Sequence, residues 1–306
     1  MKTLRYLALV TVVVAFGTIM LGSWTRINGA GLTCPDWPLC QGHVIPSLAN
    51  GVIFEWTHRL FAISVAPLVV ALLAAAWLQR YRSPFIAPAT AAIALCFFAQ
   101  VLLGAATVHL NNSPWSVVLH WGTAMAFVAA VSALAIFAAA AENGETEPSA
   151  TPRSAVALFT ILAATSFVAF VTMCIGAYVS SSGAGLACLS IPGCAGNVVV
   201  YTPGQLVQML HRIAAAATLI CAAASLAFAW ARPASGRLRA AVVTGSALVC
   251  VQVLLGLLNV ALRLPTDLRE LHAANAALVF LSFVVATTFA ALDGRAAAAS
   301  QRSVTA

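Results

Sequence analysis

Eight uncharged stretches dominate this chain: 6–24, 60–78, 86–108, 117–141, 155–179, 213–231, 240–262 and 273–292, each 19 to 25 residues long. About 20 apolar residues cross a bilayer core as a helix. Hydrocarbon offers the backbone no hydrogen-bond partner, so each segment must satisfy itself as helix. The sequence therefore predicts an all-α integral membrane protein with eight transmembrane helices. Composition agrees: 8% of residues are charged, against about 25% in an ordinary soluble domain. The first run follows Lys2 and Arg5 but exceeds the roughly 7–15 apolar residues of a signal-peptide core. No small-x-small cleavage pattern closes it, and it reads as a retained helix.

An even number of helices puts both termini on one side. That side carries Lys2, Arg5, Arg80, Arg82, Arg153, Arg232, Arg237, Arg239, Arg295 and Arg302, while the other carries Arg26, Arg59, Arg212, Arg263 and Arg269. The excess of Lys and Arg marks the cytoplasmic face, so both termini are expected to be cytoplasmic. This asymmetry accounts for most of the net charge of +7 without a nucleic-acid partner. Cys34, Cys40, Cys188 and Cys194 fall in the two long outer loops, where an oxidising milieu permits disulfides. Cys96, Cys174, Cys221 and Cys250 lie in helices and read as small packing residues.

The chain also repeats itself. "GSWTRINGAGLTCPDWPLC" at 22–40 matches "GAYVSSSGAGLACLSIPGC" at 176–194 with an offset of 154. His58-Arg59-Leu60 aligns with His211-Arg212-Ile213 at offset 153, and "QVLLG" at 100–104 recurs at 252–256, offset 152. Each half has four helices, so the halves point the same way, as parallel repeats about an axis along the membrane normal. The reading divides the chain into an N-terminal four-helix bundle at 1–141, a polar cytoplasmic linker at 142–154, a C-terminal bundle at 155–292 and a loose tail at 293–306.

His58, His120, His211 and His272 occupy matched positions near the extracytoplasmic ends of helices 2, 4, 6 and 8. Ionisable groups in membrane helices are costly and face the bundle interior. One histidine there could be mere packing; four at matched depth on matched helices point to ligands. Bundle cores hold cofactors between facing helices. One histidine pair per half, with no carboxylate or thiolate cluster beside it, suits bis-imidazole haem better than zinc or di-iron. Arg59 and Arg212 are candidate propionate partners, with snorkelling to the interface as the alternative. His43 and His109 read as solvated or loop-packing, and Gln100 and Gln252 as midplane helix-to-helix hydrogen bonders.

Glu55 precedes His58 by three residues and shares its helix face; its repeat counterpart is Gln208. A carboxylate beside a haem can accept a proton or stabilise positive charge, whereas an amide can only hydrogen-bond. The pattern suggests chemistry in the first half and a resident cofactor in the second. The alternative is that Glu55 caps helix 2 near its positive dipole end.

These motifs, from "TRINGAGLTCPDWPLC" through "EWTHR" to "GAGLAC" and "LHR", resemble the haem A synthase family over nearly the whole chain. The resemblance implies two four-helix bundles, each with a bis-histidine haem site, and oxidation of a methyl group of haem O to the formyl group of haem A for terminal oxidases. It implies His58 and His120 as axial ligands of the substrate haem, Glu55 as the catalytic acidic residue, and His211 and His272 as ligands of a haem b. It also implies disulfides Cys34–Cys40 and Cys188–Cys194, the first either redox-active or a plain staple. Asp36 and Arg26 read as loop-shaping. Expected partners are membrane lipid, the prenylating synthase that makes haem O and an electron-transfer protein the sequence does not name. A homo-oligomer is compatible with this reading, and the expected location is the bacterial cytoplasmic membrane. A b-type membrane cytochrome that only passes electrons is the rival, and a transporter ranks behind it.

Overall fold

The computed structural model describes residues 1–144, 152–194, 196 and 199–304, with 152–155 and 294–304 described by backbone alone. It contains eight long helices: α1 (Lys2–Ile27), α2 (Val52–Leu78), α3 (Ile86–His109), α4 (Pro114–Asn143), α5 (Pro152–Ser181), α6 (Pro203–Ala231), α7 (Gly236–Ala261) and α8 (Thr266–Val304). All eight are long and apolar enough to cross a membrane, and the protein is a multi-pass membrane protein. Among the described residues there is no strand; Cys40 and His43 form an isolated bridge.

The helix starts follow local chemistry. Ser113 and Thr202 precede Pro114 and Pro203, and proline suits the first helical turn, where its missing N–H has no helical partner. The side chains of Thr202 and Ser235 accept the backbone N–H of Gln205 and Leu238, two of the orphan donors at their helix starts. α2 begins at Val52, ahead of its uncharged run, and so carries Glu55 and His58 on helix. α8 stays helical through Val304, where the sequence reading placed a loose tail. The run of alanines after Arg295 has high helix propensity. Of the expected linker, 145–151 lies outside the described residues, as do 305–306 of the tail; α5 already begins at Pro152.

Within each half, helices pack in a ring: α1 on α2 and α4, α3 on α2 and α4, then α5 on α6 and α8, α7 on α6 and α8. The halves meet through α4 against α5 and α8, and α1 against α8. The first core, around Val69, Leu72, Met125, Val128 and Leu134, runs on into Met173, Ala277 and Phe280 of the second half. A second core forms around Leu162, Val242, Val249 and Phe283. Large apolar side chains such as Val13, Ile63, Leu95, Phe98 and Ile220 remain on the outer surface, as lipid contact requires.

The long loops that join the first two helices of each half dock on the turns that join the last two. Gly31 abuts Asn112, whose amide donates to the Gly31 carbonyl at 2.8 Å. In the second half Gly185 abuts Leu264. A Cβ at either glycine would lie within 2.9 Å of that neighbour, so close approach explains why "GAGL" recurs.

Candidate functional site

Each of the four histidines sits about two turns inside its helix, and each ring lies against a glycine of the neighbouring helix. A Cβ added at Gly22 of α1 would stand 2.6 Å from His58 Cε1, and one at Gly176 of α5 would stand 2.8 Å from His211 Cε1. The same construction at Gly104 and Gly256 gives 3.3 Å to His120 and His272. The missing side chains are therefore what admits the rings. Sequence reasoning missed these four glycines. The available signal was that Gly22 pairs with Gly176, and Gly104 with Gly256, at the repeat offsets.

Gly22 lies one turn after Thr18, whose backbone carbonyl is 3.0 Å from His58 Nδ1. A carbonyl only accepts, so Nδ1 carries the proton and Nε2 keeps the lone pair a metal needs. Thr172, the repeat counterpart of Thr18, lies beside His211. In the second half the rings of His211 and His272 stand edge to face, 75° between their planes, with centroids 6.4 Å apart. Two imidazoles on opposite faces of one metal, each bonded at about 2 Å, place their centroids roughly 6 Å apart. His58 and His120 lie within electrostatic reach of each other in the first half. Nδ1 of His120 and Nδ1 of His211 are buried without a hydrogen-bond partner.

Among the described residues no group of three or more His, Cys, Asp or Glu converges. Each site offers two imidazoles, so a bound metal must bring its remaining ligands with it. A macrocyclic iron does so, and the glycine cradles and ring spacing fit it.

Above each histidine pair lies a disulfide loop. Cys34 is bonded to Cys40 and Cys188 to Cys194, with Cα atoms 4.5 and 4.6 Å apart. Glu55 is buried; its Oε2 accepts the Thr33 hydroxyl at 3.0 Å and the Cys34 backbone N–H at 2.9 Å, while Oε1 pairs with Arg59 at 2.7 Å. Gln208 repeats the loop contact, accepting Cys188 N–H at 2.6 Å, but turns its amide nitrogen to the Gly185 carbonyl at 2.8 Å. Glu55 thus links the helix turn before His58 to the first cysteine of the loop. Its partners are the loop and Arg59, so it does more than cap α2.

Arg59 and Arg212, the candidate propionate partners, gather these loops. Arg59 donates to the carbonyls of Cys34, Asp36 and Leu39 as well as to Glu55. Arg212 donates to the carbonyls of Cys188, Ser190, Pro192 and Gly193. A planar guanidinium with five donors gathers several loop carbonyls at once, an outcome that sequence spacing does not reveal. Gln100 and Gln252 hydrogen-bond from helix to helix, as the sequence suggests, and their partner is a histidine: each amide lies 3.2 Å from a ring nitrogen of His120 or His272. His43 and His109 are exposed. Asp36, at the surface, accepts the N–H groups of Gln41 and Gly42. The Gly42 N–H, followed by that of Gln41, holds its carboxyl below the ordinary value.

The family described as cytochrome oxidase assembly protein, COX15-CtaA, matches residues 5–52 and 48–284. The chain is 29% identical to haem A synthase of Bacillus licheniformis over 75% of its own length and 73% of that protein. It is 27% identical to haem A synthase of Shewanella oneidensis, covering 94% of this chain and 96% of the other. With haem A synthase of Shouchella clausii the identity is 32%, over 70% of this chain and 72% of the other. By a match that spans nearly all eight helices and both histidine pairs, the chain belongs to the COX15-CtaA family of cytochrome oxidase assembly proteins.

Proposed function

We propose that this protein is a membrane oxidoreductase that converts a methyl group of haem O to the formyl group of haem A. The observation that carries the reading is the broken symmetry above two like histidine pairs. One half has a buried carboxylate, Glu55, on the loop cysteine, and the other has an amide, Gln208, in the same place. Substrate haem O is held by His58 and His120, whose rings are seated by Gly22 and Gly104. If both histidines hold the iron it would have no open position, so oxidation would fall on the periphery of the macrocycle. Taking the methyl group to formyl with water as the oxygen source releases four electrons, which leave by way of the second haem to an external acceptor, and four protons, which Glu55 accepts. Thr33, Cys34 N–H and Arg59 orient that carboxylate.

The second half holds a resident haem b between His211 and His272, which supplies electron transfer. Both termini lie in the cytoplasm, and the sites open toward the extracytoplasmic face of a bacterial cytoplasmic membrane. The prenylating synthase that makes haem O and an electron-transfer protein are the expected partners.

The test is expression beside a source of haem O, followed by chromatography and mass analysis of the extracted haems. Haem b together with haem O or haem A, and loss of haem A in Glu55→Gln, supports the reading. Haem b in both halves, unchanged by that substitution, makes the protein an electron-carrying b-type cytochrome.

A further inference from the structure

Gln100 and Gln252 are the same residue in two repeats, each with an amide against the second histidine of its half, yet their other ends differ. In the second half Gln252 is fully engaged. Its amide nitrogen lies 3.2 Å from both ring nitrogens of His272 and 3.0 Å from the His272 carbonyl. Its oxygen accepts the Asn275 amide at 2.7 Å, and Asn275 is itself buried and anchored on the Leu248 carbonyl at 2.9 Å. The counterpart of Asn275 in the first half, at the 152-residue offset that relates His120 to His272, is Thr123. There the Gln100 nitrogen lies 3.2 Å from His120 Nε2, and its oxygen is buried with no partner.

A buried amide oxygen left unpaired is costly, and native structures rarely keep one without a reason. One half of this chain has an asparagine that removes the cost, and the other lacks it. We propose that Gln100 is a specificity-determining residue that reads a hydroxyl group on the macrocycle held by His58 and His120. This rests on the reading that haem O is the substrate. A porphyrin rim of methyl, vinyl and ionised propionate groups offers an amide oxygen no hydrogen-bond donor; a hydroxyl does. It also accepts, so it satisfies whichever end of the amide faces it. Two sources carry that chemistry: the hydroxyethyl group of the prenylated side chain, present in haem O and absent from haem b, and the hydroxyl formed on the methyl carbon as it is oxidised. Gln252, spent on Asn275, has no free oxygen to offer and suits a haem without a hydroxyl.

The test uses the full chain carrying its resident haem b, titrated with haem O and separately with more haem b. Binding is followed by the Soret band and the low-spin signal of bis-imidazole iron. Gln100→Met is expected to cut the preference for haem O over haem b by about tenfold, with Gln252→Met leaving that preference unchanged. Retention of the resident haem spectrum reports that each variant is folded. That result assigns the prenyl-side hydroxyl. An unchanged preference, with several-fold more alcohol-level product released before the aldehyde, assigns the hydroxyl on the oxidised methyl. Neither change, or equal weakening of both haems with an altered low-spin signal, overturns the proposal and leaves Gln100 as a prop for His120. If the wild-type protein makes no formyl product but the haem O preference exists and falls in Gln100→Met, hydroxyl recognition stands while the oxidation reading fails.

Discussion

The guanidinium of Arg26 donates at 3.0 Å to the hydroxyl of Ser180, its own repeat counterpart 154 residues further on. Equivalent positions of two repeats touch only where the axis relating them passes, so this contact marks the pseudo-two-fold axis at the histidine-bearing end of the helices. The same seam carries Ser23, Arg269 and Glu270 around Arg26. The symmetry-related seam, between α4 and α5, is instead an aromatic contact of Trp115 with Tyr178 at 4.9 Å.

Arg26→Ala removes the cation that Glu270 faces and the bond to Ser180. Hydrogen bonds to charged groups are each worth about 1.5–3 kcal/mol, and Arg26→Ala is expected to destabilise by about that much. Ser180→Ala, which removes the neutral partner only, is expected to cost less. Thermal unfolding in detergent micelles measures both. No change in either variant would mean that apolar packing alone holds the halves together.

The glycine cradles predict a ranking. Gly22→Ala and Gly176→Ala put a methyl group 2.6 and 2.8 Å from a histidine ring, too close to keep. Gly104→Ala and Gly256→Ala put it at 3.3 Å, where a few tenths of an ångström of movement suffices. Haem content of the purified variants should therefore fall sharply in the first pair and mildly in the second. Each loss should be confined to the half that carries the substitution, and equal losses in all four would refute the cradle argument.

Arg59→Lys keeps the charge but replaces a planar fork with a point donor. Of the carbonyls of Cys34, Asp36 and Leu39 and the carboxylate of Glu55, a lysine reaches only part. The first disulfide loop is expected to lose about 2 kcal/mol of local stability, several net hydrogen bonds' worth. Hydrogen exchange across 34–43 should show faster exchange there and no change in 188–194. Arg212→Lys should reverse that pattern.

Asp36 makes a pH prediction. Its folded carboxyl is held below 3.8, first by the Gly42 N–H and then by that of Gln41. A depressed folded value means the ionised form favours the fold. The contribution is present above 3.8 and is lost only as pH falls through the lower, folded value. Protection of the Gln41 and Gly42 amides should persist below pH 3.8 and then fade, whereas Asp36→Asn should abolish this pH dependence. Hydrogen exchange across an acid series reads it directly, and fading that begins above 3.8 would contradict the geometry.

Much of this protein was legible in its sequence because the informative signals are local. Eight uncharged runs dictate eight helices, since a backbone in hydrocarbon has no other way to satisfy itself. Constant offsets expose the duplication, and with it the matched histidines and the exchange of Glu55 for Gln208. Helix ends were less legible: α2 starts ahead of its apolar run and α8 continues beyond it, because polar residues at the interface stay helical without being hydrophobic. What each side chain faces was decided by tertiary structure alone. Arg59 and Arg212 point to loop carbonyls, Gln100 and Gln252 reach histidines, and Gly22 makes room for the ring of His58 on the next helix. Hydropathy and spacing fix which segments are helices. The rotation and register of one helix against another come from non-local packing, and only that packing brings Arg26 to Ser180 across the axis of the repeat.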